Sequence, residues 1–184
     1  MARVDVLASS VEQRWVTPPA LFRAVQRFMG GAIALDAAAL AHTARVPSYL
    51  GPDHVVPDRR DALGDVSWSE WLPRDGAWWL NPPYGHGVHQ WIRRAAAEGM
   101  YRPGAALVHA NTDTEYFATC WRTAEWILLL RGRLAFLHPD TLEPITDASG
   151  RPVGTTGGHM VVIWRPGWRR ACSVALVDHE LRGV

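Results

Sequence analysis

Apolar positions along this chain fall alternately at helical and at strand spacing. Leu21, Phe22, Val25 and Phe28 recur at helical intervals, and Gly30 with Gly31 stops the run. Ahead of it Thr17 reads as the N-cap, and Pro18 fits the first helical turn. The run 32–35 is then a short buried strand ending on Asp36. Residues 40–60 carry Pro47, Pro52 and Pro57 and predict no long element. A second strand, 77–80, contains Trp78 and Trp79 and stops at Asn81. Beyond Gly85 and Gly87, the stripe Val88, Trp91, Ile92 and Ala95 predicts a helix ending near Gly99. A third strand follows at 105–108. Thr112 and Glu115 stand at capping-box spacing and open a helix through Phe117 and Trp121. A fourth strand is read at 125–130. The runs 134–137 and 159–164 read as an antiparallel hairpin with 150–158 at its tip, and 172–177 offers one last strand.

Strands alternating with helices imply βαβ units, hence an α/β fold with a mostly parallel, Rossmann-like sheet closed by the C-terminal hairpin. Ligands in such sheets sit beyond the carboxyl ends of the strands, where Asp36 and Asn81 both fall. Residues 1–14 show no pattern and read as an N-terminal arm; residues 15–184 read as a single domain.

Composition narrows the class without naming it. At 184 residues, with 48% hydrophobic and 20% charged side chains, the chain is long enough to bury a core and ordinary for a soluble protein. No apolar stretch reaches the roughly 20 residues that span a bilayer, and the first residues lack the apolar run of a secretory signal. Cys120 and Cys172 lie far apart without metal-ligand spacing, so neither a disulfide framework nor a metal site is expected, and the cytoplasm of a bacterial host cell is the default location. The net charge of +1 does not advertise a nucleic-acid binder. All 19 basic residues are arginines, whose forks suit phosphates and base edges but which a GC-rich genome also favours.

The chemistry concentrates at Asn81-Pro82-Pro83-Tyr84. Proline lacks a backbone N–H and fixes φ, so two prolines hold the backbone stiff where the chain leaves the sheet. Two acceptors, the Asn81 side-chain oxygen and the Pro82 carbonyl, then stand beside the Tyr84 ring. That set suits a planar group bearing an exocyclic NH2, such as adenine; a plain strand-to-loop turn is the other reading. Elsewhere the bland readings weigh more. Thr112 and Glu115 are helix caps before they are functional, His86 and His89 are surface residues, and Gly157-Gly158 lacks the Lys-Ser/Thr of a phosphate loop.

Taken in order, Trp15-Val16-Thr17-Pro18, Leu35-Asp36-Ala37-Ala38, Asp61-Ala62-Leu63, Asn81-Pro82-Pro83-Tyr84-Gly85, Thr112-Asp113-Thr114 with Phe117, and Arg131-Gly132-Arg133-Leu134-Ala135-Phe136 resemble the bacteriophage and prophage DNA N6-adenine methyltransferases. The resemblance implies an enzyme that transfers the methyl group of S-adenosylmethionine to adenine N6 in DNA, with base flipping and no covalent intermediate. It implies that Asn81, Pro82, Pro83 and Tyr84 hold the target base. Asp36, Ala37 and Ala38 would belong to the cofactor pocket, Trp15, Thr17 and Pro18 would close over the cofactor's methionine end, and Asp61 would lie near its adenine. Two features depart from the pattern. Ala37-Ala38-Ala39 replaces a glycine-rich turn, and Asn111 stands where the family often has arginine. For the cofactor ribose, Asp53 and Asp58 are the acidic candidates.

The same tetrapeptide also suits cytosine N4, an RNA base or a protein glutamine, each a planar NH2. A non-catalytic DNA-binding module that kept the fold is the reading from another class. With no separate target-recognition domain, DNA specificity is expected from the segments 85–104 and 138–158.

Overall fold

The computed structural model describes residues 15–85, 87–168 and 171–184; the arm at 1–14 and His86 lie outside them. Helix α1 (Pro19–Met29) starts one residue later than its sequence suggests, with Pro18 and not Thr17 at the N-cap position. Two consecutive prolines make both registers possible, because either can occupy the first turn, where the missing N–H costs nothing. Gly30 at φ 68° ends the helix in the left-handed conformation that glycine adopts without strain.

Six strands form one sheet in the order β1-β2-β3-β5-β4-β6. They are β1 (Ile33–Asp36), β2 (Ala77–Leu80), β3 (Gly104–His109), β4 (Trp126–Leu130), β5 (His159–Trp164) and β6 (Ser173–Val177). β1, β2 and β3 pair in parallel, as do β4 and β6, while β5 runs antiparallel to both β3 and β4. The sheet is therefore mostly parallel, as expected, but the terminal hairpin is not present. β5 is inserted between β3 and β4, and residues 134–137 form no strand. Leu137 makes only isolated bridges, to Val16 and Pro144.

β2 and β5 are buried along their whole lengths, so alternate residues feed two cores, one on each face. Trp78, Leu80, Ala106, Val108 and Val162 pack under α2 (Val88–Gly99) and α3 (Glu115–Thr123). Trp79, Leu107, Leu128, Val161 and Ile163 pack under α1. Gly104 is fixed by packing: a Cβ there would stand 2.0 Å from the Trp78 ring. α3 is capped by Thr114, whose Oγ1 accepts from Phe117 N at 3.3 Å, so the cap lies two residues beyond the Thr112 expected.

The connection from β1 to β2 is irregular, as read, apart from short 3-10 turns at Pro57–Arg59 and Trp68–Trp71. It is held on α2. Glu98, buried to 4% exposure, accepts from Trp68 N at 3.1 Å and from Ser67 Oγ at 2.9 Å, and pairs with Arg94 Nε at 2.9 Å. Arg94 also donates to the Gly64 and Val66 carbonyls, anchoring the segment that follows Asp61. Removing one member of a buried pair leaves the other charge uncompensated, at a cost of about 3–5 kcal/mol. Glu98→Ala should lower the unfolding free energy by that amount, read as a shift of the urea midpoint at unchanged slope.

Candidate active site at the strand ends

β1 and β2 run side by side with Asp36 opposite Trp79, and Ala37 N donates to the Trp79 carbonyl at 2.8 Å. This register sets Asp36, the last residue of β1, next to Asn81, the first residue beyond β2. A cavity of about 230 Å³ opens between them and is lined by both. Trp15, Thr17, Ala38, Asp61 and Pro83 line it as well, so most of the residues expected in the site meet there. Four do not reach the lining. Pro18 caps α1, Ala37 is fully buried, Pro82 is buried, and Tyr84 is half-buried against His109, Phe136 and His159. Asp53 and Asp58 are also absent from the lining, and Asp53 Oδ2 instead accepts from Ala41 N at 2.9 Å. Asp36 and Asp61 are thus the carboxylates, among the described residues, that face the cavity.

Arg45, Arg60 and Trp91 line it too, and no local pattern marked them. Trp91 reads as one more apolar position in the α2 stripe. Arg45 arrives through the irregular segment: its backbone N–H donates to Asp36 Oδ2 at 2.9 Å. Arg60 is fixed by a bond from Nε to the His54 carbonyl at 2.8 Å.

Burial pushes the Asp36 carboxyl up from 3.8 to about 6, against the lowering pull of the Arg45 and Ala38 amides and of the Arg45 charge. Thr17 is buried, and its Oγ1 has no hydrogen-bond partner. A buried carboxylate and an orphaned hydroxyl on one wall are the polar groups a ligand would satisfy.

The Asn81 amide is held at both ends. Its Nδ2 donates to the Trp15 carbonyl at 2.6 Å, and its Oδ1 accepts from the Tyr84 hydroxyl at 3.1 Å. The Tyr84 ring is not the open face beside Asn81 that the tetrapeptide suggested. It stands edge-on to His109 at 4.8 Å, Phe136 at 5.8 Å and His159 at 5.9 Å. Burial, then the neighbouring Tyr116, pushes the Tyr84 phenol well above its usual range, so it remains a neutral donor. His159 is buried beside it and drops to about 3, first through burial and then through His109 and Arg133. Its imidazole stays neutral at any working pH.

In open α/β sheets ligands bind beyond the carboxyl ends of parallel strands, where this cavity lies between a buried acid and an asparagine-proline turn. The comparison with known families is narrower. The family model described as DNA N-6-adenine-methyltransferase (Dam) matches residues 6–182, and the chain belongs to that family of adenine-specific DNA methyltransferases. A curated relative, the DNA N-6-adenine-methyltransferase of Haemophilus phage HP1, is 24% identical over 177 residues, covering 92% of this chain and 91% of the relative. No helix among the described residues is long and apolar enough to cross a membrane.

Two outcomes are expected from this geometry. Because Asp36 holds its proton more tightly folded than unfolded, its contribution is fully present below pH 3.8 and is lost as pH rises through about 6. The ligand-free protein should lose about 3 kcal/mol of stability across that window, and Asp36→Asn should flatten the profile in denaturant titrations at pH 4, 5, 6 and 7. Tyr84→Phe removes one O–H···O bond and should cost about 1 kcal/mol. Tyr84→Ala also empties the ring cluster and should cost about 3–5 kcal/mol by the same measurement.

Proposed function

We propose that this chain methylates the N6 amine of adenine in DNA with S-adenosylmethionine as methyl donor. The observation that carries the reading is the single cavity shared by Asp36 and Asn81, in a chain belonging to the DNA N-6-adenine-methyltransferase family. The lining suits that donor. S-adenosylmethionine carries a sulfonium, an ammonium, a carboxylate, ribose hydroxyls and an adenine. The wall offers the carboxylates of Asp36 and Asp61 to cationic and hydroxyl groups, Arg45 and Arg60 to a carboxylate, and the unpaired Thr17 hydroxyl. Leu50, Trp79 and Trp91 supply apolar surface for a flat base. Trp15, Thr17, Asp36, Ala38 and Asp61 would hold the donor, with Pro18 and Ala37 shaping the backbone behind them.

When bound, S-adenosylmethionine supplies an electrophilic methyl group on sulfur. The chain's own groups act on the acceptor. Adenine N6 is a weak nucleophile because its lone pair is delocalised into the ring. Asn81 Oδ1 and the Pro82 carbonyl, each accepting one N–H of that amine, favour a pyramidal nitrogen and stabilise the positive charge that develops on it. Preorganised dipoles of this kind contribute about 3 kcal/mol each in other enzymes. Pro82 and Pro83 fix the carbonyl's direction, and Tyr84 steadies Asn81 through its hydroxyl. The surplus proton leaves to solvent, and no side chain forms a bond to the substrate. A base within a duplex must first be flipped out, at a cost of a few kcal/mol.

Incubating DNA with the protein and donor, then hydrolysing it for nucleoside mass spectrometry, should yield N6-methyladenine. N4-methylcytosine alone, or no methylated nucleoside, would overturn the reading. Asn81→Ala should lower transfer by at least about 100-fold while calorimetry still detects donor binding. Near-normal turnover in that variant would remove Asn81 from the mechanism.

A further inference from the structure

Asn81 is reached from outside the site by a short chain of contacts. Residues 140–153, exposed except for Ile145, leave the body of the protein as a self-bonded arm. Its two limbs are joined by Val153 N to the Ile145 carbonyl at 2.7 Å and Asp147 N to the Arg151 carbonyl at 2.8 Å, and a turn at its root carries His138 N to the Glu143 carbonyl at 2.9 Å. Its tip is closed by Asp147 Oδ1, which accepts from Ser149 N at 2.8 Å, Ser149 Oγ at 2.6 Å and Arg151 N at 3.1 Å. At the root of the arm, Leu137 exchanges two backbone bonds with Val16, at 3.0 and 3.1 Å. The Phe136 ring sits 5.5 Å from the Trp15 ring. The Trp15 carbonyl then receives the Asn81 amide. Two backbone bonds and one side-chain bond therefore separate an exposed arm from the amide assigned to the target amine.

We propose that Trp15 and Leu137 are positioning residues, and that the strap they form transmits the position of the 138–153 arm to the Asn81 side chain. The proposal rests on the methyltransferase reading for what Asn81 does, but not for how it is held. With Nδ2 fixed on a carbonyl, Oδ1 is the amide atom held in place to accept from a substrate amine. A strap released at Leu137 lets Trp15 move and leaves the amide held by the Tyr84 hydroxyl alone, a group that can also accept, so that the amide can turn over and place a nitrogen where an acceptor is required. DNA seated against the arm, or shifting it, would in this way set the acceptor.

The chain contains two asparagines, Asn81 and Asn111, so selective 15N-asparagine labelling gives a spectrum of two side-chain amides. In the wild-type chain one NH2 pair should be displaced downfield and exchange slowly with solvent. If neither pair is, the Trp15–Asn81 link is absent and the proposal falls. Leu137→Pro removes the N–H that donates to Val16, and Val16→Pro removes the one that donates to Leu137. In either variant, with folding checked by thermal melting, the displaced pair should move to a solvent-like position. The kcat at saturating donor and DNA should then fall at least 10-fold, with the DNA KM changed less than threefold. Leu137→Ala keeps the N–H and should match the wild type in both readouts. An amide pair that stays put in both proline variants, or that moves as far in Leu137→Ala, would overturn the coupling. The amide signals are read without turnover, so a wild-type chain that transfers no methyl group overturns the methyltransferase reading and not the coupling.

Discussion

The parallel register of β1 and β2 is the constraint from which the site follows. With Asp36 opposite Trp79 and Ala37 N on the Trp79 carbonyl, the two strands end close to one another, one on an acid and the other just before Asn81. A slip of one residue would send Asp36 and Leu35 each to the opposite face of the sheet, away from the neighbours they pack against. β1 is also an edge strand, which needs cover. The chain supplies it locally: Asp36 N donates to the Ser48 carbonyl at 2.9 Å, and Leu50 N to the Asp36 carbonyl at 2.8 Å. The same fold-back that protects the edge walls the cavity and removes Asp36 from water. An acid held in that state costs stability in the empty protein, an arrangement typical of groups kept for a ligand.

The second wall is built from a distance. Asp61 lies on a loop whose next turns hang from Arg94 and Glu98 on α2, the helix that begins just after the asparagine-proline turn. One helix therefore packs beneath β2, follows the turn that carries Asn81, and fixes the loop that carries Asp61. The site is made of loops, yet each loop is tied to a rigid element by a buried polar contact, which is how irregular backbone holds a defined shape.

What was legible in the sequence follows the same division. Strands 33–36, 77–80 and 104–109 could be read because they are continuous apolar runs closed by a polar residue, and their ends marked Asp36 and Asn81. The place of β5 could not be read. An apolar run announces that it is buried, and nothing within 159–164 says which strands it will separate, so proximity to 134–137 suggested a hairpin. Helix starts slipped by one or two residues where Thr17 and Pro18, or Thr112 and Thr114, offered equivalent caps. Arg45 and Arg60 escaped notice because residues 40–60 have no period to place them. Tyr84 was legible as part of the motif but not in its packing, since its contacts with His109, Phe136 and His159 come from three separate stretches of chain.

The hydroxyl of Tyr84 on Asn81 Oδ1 does not block the proposed substrate amine. A carbonyl oxygen has two lone pairs, so Oδ1 can accept the phenol and still take an N–H. Donation from Nδ2 to the Trp15 carbonyl draws charge through the amide onto that oxygen, and chained hydrogen bonds strengthen one another in a low-dielectric setting. The amide is fixed without being saturated: one N–H is held by Trp15 and one lone pair of its oxygen by Tyr84, which leaves a second lone pair for the proposed acceptor role. An aspartate in the same place would set a carboxylate oxygen against the Trp15 carbonyl, acceptor to acceptor. The two contacts of this side chain therefore favour asparagine over aspartate at position 81, and in the proposed mechanism the segment through Trp15 orients the acceptor.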